Sequence, residues 1–176
     1  KFVQIGSSSE YGNAKSPHTE KTICKPLSIY GKAKLLSTKY LLQMLKKKDF
    51  PVVILRLYQA YGHKEDANRI IPQAITSFLE NINFDTTEGK QLRDFIYIDD
   101  VIRAIINSLL IKKSKGKIIN IGTGQPRKIR DVIMKIFKII KKGKPNLGQI
   151  KMRKDETLKI YPSIKKANTL INWSPK

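Results

Sequence analysis

Phe2-Val3-Gln4-Ile5-Gly6-Ser7-Ser8-Ser9 is a short β-prone run ending in a glycine and three serines. Some twenty residues later, Ser28-Ile29-Tyr30-Gly31-Lys32-Ala33-Lys34 opens a segment with a different period. The first stretch reads as a buried strand that delivers hydroxyls to the loop at its carboxyl end. In the second, apolar residues at Ile29, Ala33, Leu36, Tyr40 and Met44 recur at helical spacing, which predicts a helix of about five turns from Ser28 to Lys48. Between them, residues 12–25 read as a polar surface loop. Working outward, Val52 to Leu57 reads as a second buried strand, Ile70 to Glu80 as a helix and Phe95 to Ile98 as extended. Asp99-Asp100 is expected to cap a helix running to about Ile111, Lys117 to Ile121 to form a third strand, and Val132 to Ile140 an amphipathic helix with Asp131 in its first turn. Strands alternating with helices argue for an α/β layered fold with a parallel sheet.

The chain has 176 residues, enough for one full core, and its 40% hydrophobic content suits a globular domain. No stretch has the length of unbroken apolar residues that a membrane span needs, and the amino terminus shows no secretory pattern, so the expected setting is cytoplasmic with no membrane partner. Cys24 stands alone and reads as a spectator; no thiol pair has metal-ligand spacing and no metal is expected. The net charge of +21 and pI near 10.1 fit a nucleic-acid-binding domain by themselves. The basic residues are mostly lysines scattered over nearly every segment, however, with arginine only at 56, 69, 93, 103, 127, 130 and 153. That pattern reads as solvated faces, so no nucleic acid is expected as partner, while the charge would favour an anionic substrate.

The sharpest chemical signal is the Tyr30/Lys34 pair. Four residues apart on a helix, the two side chains share a face one turn apart. An ammonium close to a phenol favours the phenolate and brings it toward a range where protons are traded. A lone pair of this kind is as readily an accident of a surface helix; the serines at the strand tip make it specific, because ligands of open α/β sheets bind at the carboxyl ends of strands.

The motif "SSxEYG … YGKAK" resembles the catalytic group of the extended short-chain dehydrogenase/reductases, the NAD-dependent epimerase/dehydratase family of the nucleotide-sugar branch. Further segments follow in order: Leu55 to Gly62 resembles "LRxxNVYG", Arg69 to Pro72 resembles "RxIP", Arg93 to Val101 resembles "RDFxYVDDV", and Asn120 to Gly124 is similar to "NIGTG". Arg153 to Thr157, Tyr161 to Ala167 and Asn172 to Lys176 resemble the closing "RPGET … DISKA … GWxPK". Several ordered motifs at compatible spacing carry more weight than any one alone. The resemblance implies part of a Rossmann-like parallel sheet plus a small carboxy-terminal α/β substrate-binding lobe. Residues 1–62 would be the second half of the Rossmann-like domain with its catalytic helix, and 63–176 mostly the nucleotide-sugar lobe, with 93–121 returning to the core sheet.

Carried over by position, the resemblance makes Tyr30 the general acid/base and Lys34 the group that lowers its pKa and holds the nicotinamide ribose. Ser7 would hydrogen-bond the reacting oxygen, with Ser8 as the neighbouring choice on the substrate side. Tyr58 would lie near the cofactor and Gln59 near the substrate phosphates, its amide on a longer arm than the family's usual Asn. Arg69, Arg93 and Arg153 would clamp the nucleotide diphosphate with forked donors. Competing structural readings are an Arg93–Asp94 ion pair and a solvated Arg153. His18 and His63 read as solvated, and Tyr161 and Trp173 as packing residues of the terminal lobe. Gly122-Thr123-Gly124 lacks the third glycine of a dinucleotide fingerprint and the Lys-Ser/Thr of a Walker loop.

The family's first βαβαβ half, with its glycine-rich turn, is absent from these residues, and both ends read as interrupted. The expectation is a fragment of an enzyme using NAD or NADP on a nucleotide-diphosphate sugar, inactive by itself. The alternative is a catalytically silent truncated relative or basic binding module. Family 4,6-dehydratases carry Asp-Glu directly after the catalytic hydroxyl, where this chain has Ser8 and Ser9, so dehydration is disfavoured and 4-epimerisation and 4-keto reduction both stay open. The resemblance also allows a homodimer paired through the helix of Tyr30.

Overall fold

Val52, Val53, Ile54 and Leu55 are fully buried, as a central parallel strand covered on both faces must be. A computed structural model describes residues 1–176. Its elements in chain order are β1 (Phe2–Ser7), a 3-10 turn (Ser8–Glu10), α1 (Ile29–Lys48), β2 (Val52–Leu57), β3 (Gln59–Tyr61), α2 (Ile70–Leu79), β4 (Phe84–Thr86), β5 (Leu92–Arg93), β6 (Phe95–Tyr97), α3 (Ile98–Leu110), a second 3-10 turn (Lys112–Ser114), β7 (Ile118–Ile121), β8 (Arg127–Lys128), α4 (Ile129–Ile140), β9 (Pro145–Leu147), β10 (Lys159–Ile160) and α5 (Lys165–Ile171). The main sheet has the order β1-β2-β7, all parallel, with Ile5 opposite Leu55 and Leu55 opposite Ile119.

Alternation along β2 divides its side chains between two faces. Val53 and Leu55 join Ile119 and Ile121 of β7, Val101 and Ala104 of α3, and Ala167, Ile171 and Trp173 in one core. Trp173 donates from Nε1 to the Asp100 carbonyl at 2.8 Å, so the end of the chain is locked to α3. Tryptophan at this position therefore packs in the main core, not in the terminal lobe as the sequence suggested, and residues 165–173 return to the sheet as 118–121 do. On the other face, Arg56 is buried toward α1.

The lobe has its own core, in which Ala74 and Phe78 of α2 meet Ile129 and Ile133 of α4, with Phe84 and Phe137 edge-on to Phe78. Short pairs complete it: β3 with β6, β4 with β9, and β5 between β8 and β10. Strands of two or three residues are too brief to leave a period in the sequence, so only the β6 region was legible in advance.

Two local expectations change. Helix α3 begins at Ile98 with Tyr97 as its cap, and Asp99 and Asp100 lie in its first turn. Asp100 is drawn off by Arg103 at 2.6 Å and by the Lys176 amide at 3.2 Å. On α1, the apolar stripe faces outward: Ile29, Leu36 and Tyr40 are all exposed, whereas Gly31 and Thr38 are buried. The fully buried positions are small or polar because this part of the helix docks on the serine turn and on Glu10, while Leu35, Leu42 and Leu45 are half-buried further along.

Candidate active site

β1 ends in Ser7, whose side chain accepts from the Ser9 amide at 3.1 Å and starts the 3-10 turn. Ser7 is almost wholly buried and Ser8, next along the turn, half-buried. Ser28 caps α1 by accepting from the Gly31 amide at 3.0 Å, and so sets where the helix starts. A Cβ at Gly31 would come within 2.5 Å of the Ser9 carbonyl oxygen, so the absence of a side chain lets α1 lean directly on the serine turn. Tyr30 and Lys34 are carried to that turn. The Lys34 Nζ donates to the Ile5 carbonyl of β1 at 3.0 Å and lies 5.6 Å from the centre of the Tyr30 ring, while Tyr30 itself is exposed. Strand tip, phenol and ammonium thus share one place.

Glu10, noted in the sequence only as standing one step past the places of a dehydratase's acidic pair, is fully buried at the centre of this place. Its carboxylate accepts from the Ser7 amide at 3.0 Å, from the Thr38 hydroxyl at 3.0 Å and from Arg56 Nε at 2.9 Å. The Arg56 guanidinium also lies 4.6 Å from the centre of the Tyr11 ring, and the Tyr11 hydroxyl donates to Asn120 Oδ1 of β7 at 2.7 Å. The signal was present in two motifs, Ser-Glu-Tyr-Gly at 9–12 and Leu-Arg at 55–56. What joined them was the fold.

His18 corrects a sequence expectation: it is fully buried, not solvated. Its Nε2 lies 2.9 Å from the Ala14 carbonyl, which can only accept, so the proton sits on Nε2 and Nδ1 is left to accept from the Tyr58 hydroxyl at 3.0 Å. Burial depresses the His18 pKa and raises that of Tyr58. The Tyr58 hydroxyl is therefore engaged inside the protein, with Tyr11 and His18 as its neighbours. His18 also ties the loop to the chain end, its amide donating to Tyr161 and its carbonyl accepting from Ser163.

Beyond β2 a cleft of about 500 Å3 opens, lined by Gln59, Arg69, Thr87, Gln91, Arg153 and Glu156 among others. Three of the sequence-selected residues, Gln59, Arg69 and Arg153, thus meet in one cavity from separate segments. Arg69 is shared with Glu65 at 3.5 Å, and Arg153 is exposed. Arg93 reaches the same cleft through an ion pair with Glu156. Burial lowers its pKa, and Glu156 opposes that shift. Asp94 is not its partner: the Asp94 carboxylate accepts from the amides of Thr123 at 2.6 Å and Gly124 at 2.7 Å, clasping the turn after β7. Gly122 lets this happen, since a Cβ there would stand 2.9 Å from Asp94 Oδ1. A second cleft, of about 610 Å3, lies between β3, β6 and α4 around Tyr61, Phe95 and Ile136. None of the selected residues lines it, whereas Gln59, Arg69 and Arg153 line the first; Ser7, Tyr30 and Lys34 line neither.

The site therefore has two parts, a strand tip with Ser7, Tyr30 and Lys34 on an open α/β sheet and a cleft in the lobe lined by Arg69 and Arg153, the end of such a sheet being where ligands bind. The sequence profile of the NAD dependent epimerase/dehydratase family matches residues 1–122, and the chain belongs to that family. It is 35% identical over 132 residues to CDP-abequose synthase of Salmonella muenchen, an alignment covering 72% of this chain and 43% of that protein. YtcB of Bacillus subtilis, described as an uncharacterized UDP-glucose epimerase, is 28% identical across 99% of this chain and 55% of its own length. Among solved structures, the UDP-glucuronic acid 4-epimerase of Bacillus cereus, in complex with UDP-glucuronic acid and NAD, superposes with a TM-score of 0.89 at 35% identity, over 99% of this chain and 56% of that one. The chain spans about half the length of the curated relatives it matches. No helix is long and apolar enough to cross a membrane.

Proposed function

We propose that these residues are the catalytic-helix and substrate-lobe part of an NAD- or NADP-dependent enzyme that works on a nucleoside-diphosphate sugar, as a 4-epimerase or 4-ketoreductase. The observation that carries this reading is the tethering of Lys34 to the strand that ends in Ser7, with Tyr30 one turn away and open to a ligand. The donor set fits the nicotinamide end of a dinucleotide: Tyr30 and Lys34 would hold the ribose, while no glycine-rich fingerprint is present in the chain for the adenosine end. Bound, the cofactor would supply or take up the hydride at the sugar carbon.

The chain's own residues do the rest. Tyr30 moves the proton at the sugar hydroxyl or carbonyl oxygen, and Ser7 holds that oxygen by a hydrogen bond. Arg69, Arg93 and Arg153 bind the diphosphate, Arg93 after exchanging the Glu156 carboxylate for a phosphate oxygen. Glu10 is committed to Arg56, Thr38 and the Ser7 amide, and so is not free as an acid for the elimination of water. This supports epimerisation or reduction over dehydration.

The test is turnover by the enzyme encoded by the full reading frame, with NAD or NADP and a panel of UDP-, dTDP-, CDP- and GDP-sugars. Tyr30→Phe is expected to lower kcat by about 10²-fold or more with nucleotide-sugar binding retained. Wild-type turnover in that variant overturns the assignment.

A further inference from the structure

We infer that Thr38 and Glu10 are positioning residues that set the rotation of the catalytic helix against the serine strand. This rests on the function proposed above. Tyr30, Lys34 and Thr38 stand at successive four-residue steps on α1 and so run down one side of the helix. Each member of that stripe has a different fate. Thr38 is buried and donates to Glu10 Oε2 at 3.0 Å; Lys34, one turn nearer the start, is half-buried and donates to the Ile5 carbonyl at 3.0 Å; Tyr30, at the end, is exposed. The helix is pinned at its second and third points, and the acting group projects from the first.

The pin works because the other side of the Glu10 carboxylate is the strand of Ser7. Oε1 accepts from the Ser7 amide at 3.0 Å, and Oε2 is shared by Thr38 with Arg56, whose Nη2 lies 2.8 Å away. One carboxylate therefore joins the backbone of Ser7, the helix of Tyr30 and Lys34, and β2. Gly6 makes room for it: a Cβ there would stand 2.7 Å from Oε1. A buried ion pair of this kind brings little net stability over apolar packing, because desolvation offsets the attraction. Its hydrogen-bond directions do specify one geometry, and proton transfer is sensitive to displacements on the order of 1 Å.

Thr38→Val keeps the shape and removes only the donor, leaving the Glu10–Arg56 and Glu10–Ser7 contacts in place. In the full-length enzyme it is expected to lower kcat by about 10- to 100-fold and to move the pH profile of kcat, while KM for the nucleotide sugar stays within about twofold. Thr38→Ala carries the same expectation, and Thr38→Ser, which restores the hydroxyl, is expected to recover kcat to within about threefold. A role in stability alone would lower Tm and leave the pH profile of the folded enzyme where it was. Wild-type kcat and pH profile in Thr38→Val or Thr38→Ala, with Tyr30→Phe inactive, overturn the positioning role alone. Full turnover in Tyr30→Phe overturns the functional reading and this inference with it.

Discussion

Replacing Gly31 by alanine sets two effects of known sign against each other. Alanine favours the helix by about 1 kcal/mol over glycine. Its Cβ, however, would lie 2.5 Å from the Ser9 carbonyl oxygen and 3.1 Å from Pro26 Cβ, where an ordinary carbon–oxygen contact is about 3.3 Å. The start of α1 must retreat by about 0.8 Å, at an overpacking cost of about 1–3 kcal/mol. The net change in stability is a loss of roughly 0–2 kcal/mol, a fall in Tm of less than about 8 °C for a protein of this size or larger. The same retreat carries Tyr30 and Lys34 away from Ser7, and a misplacement on this scale costs about 10- to 100-fold in rate. Turnover of the nucleotide sugar by the full-length enzyme should therefore drop far more than stability does, whereas Lys32→Ala, next along the helix and exposed, should leave both unchanged. Turnover within about threefold of wild type in Gly31→Ala would refute the claim that this close approach aligns the site.

Three further outcomes are expected. Trp173→Ala should destabilise the protein by about 3–5 kcal/mol in urea denaturation, because the side chain fills the main core and anchors the chain end to α3; a change below about 1 kcal/mol would mean that the chain end contributes little to that core. Burial holds the folded-state pKa of His18 below its ordinary value, so the unfolded chain takes up that proton first as pH falls. The contribution of His18 is thus full above about pH 6.5 and is lost as pH falls through the lower folded-state value. His18→Gln should flatten this part of the stability curve, which denaturation midpoints between about pH 5 and 8 would show; equal slopes in the two proteins would remove His18 as the cause. Arg93→Lys loses the forked donor and should weaken nucleoside-diphosphate binding by about 10- to 100-fold in calorimetry, and unchanged affinity would place the diphosphate elsewhere.

Two kinds of information were legible along the chain. Periodicity and composition marked the parallel strands at 2–7, 52–57 and 118–121 and the helix between the first two, because runs of β-branched and aliphatic residues fit a sheet and a helix has a period of its own. The burial of β1 was overestimated, since it is an edge strand here, with Phe2 exposed and residues 3–5 half-buried. The spacing of Tyr30 and Lys34 stated which residues share a face, since the geometry of one helix is a local property. The polarity of the inner face was not legible. The apolar stripe of α1 looks like the buried side, yet Thr38 and Gly31 are the buried residues, because the helix rests against a turn and a carboxylate contributed by a distant segment. Likewise Arg93 stands beside Asp94 in sequence and pairs with Glu156, and His18 sits in a polar loop and is sealed beneath Tyr161 and Ser163. Which charge meets which, and which polar group loses its water, depends on contacts between residues that can lie more than a hundred positions apart. Desolvation belongs to the packed assembly and to no single segment, so only the folded molecule could decide it.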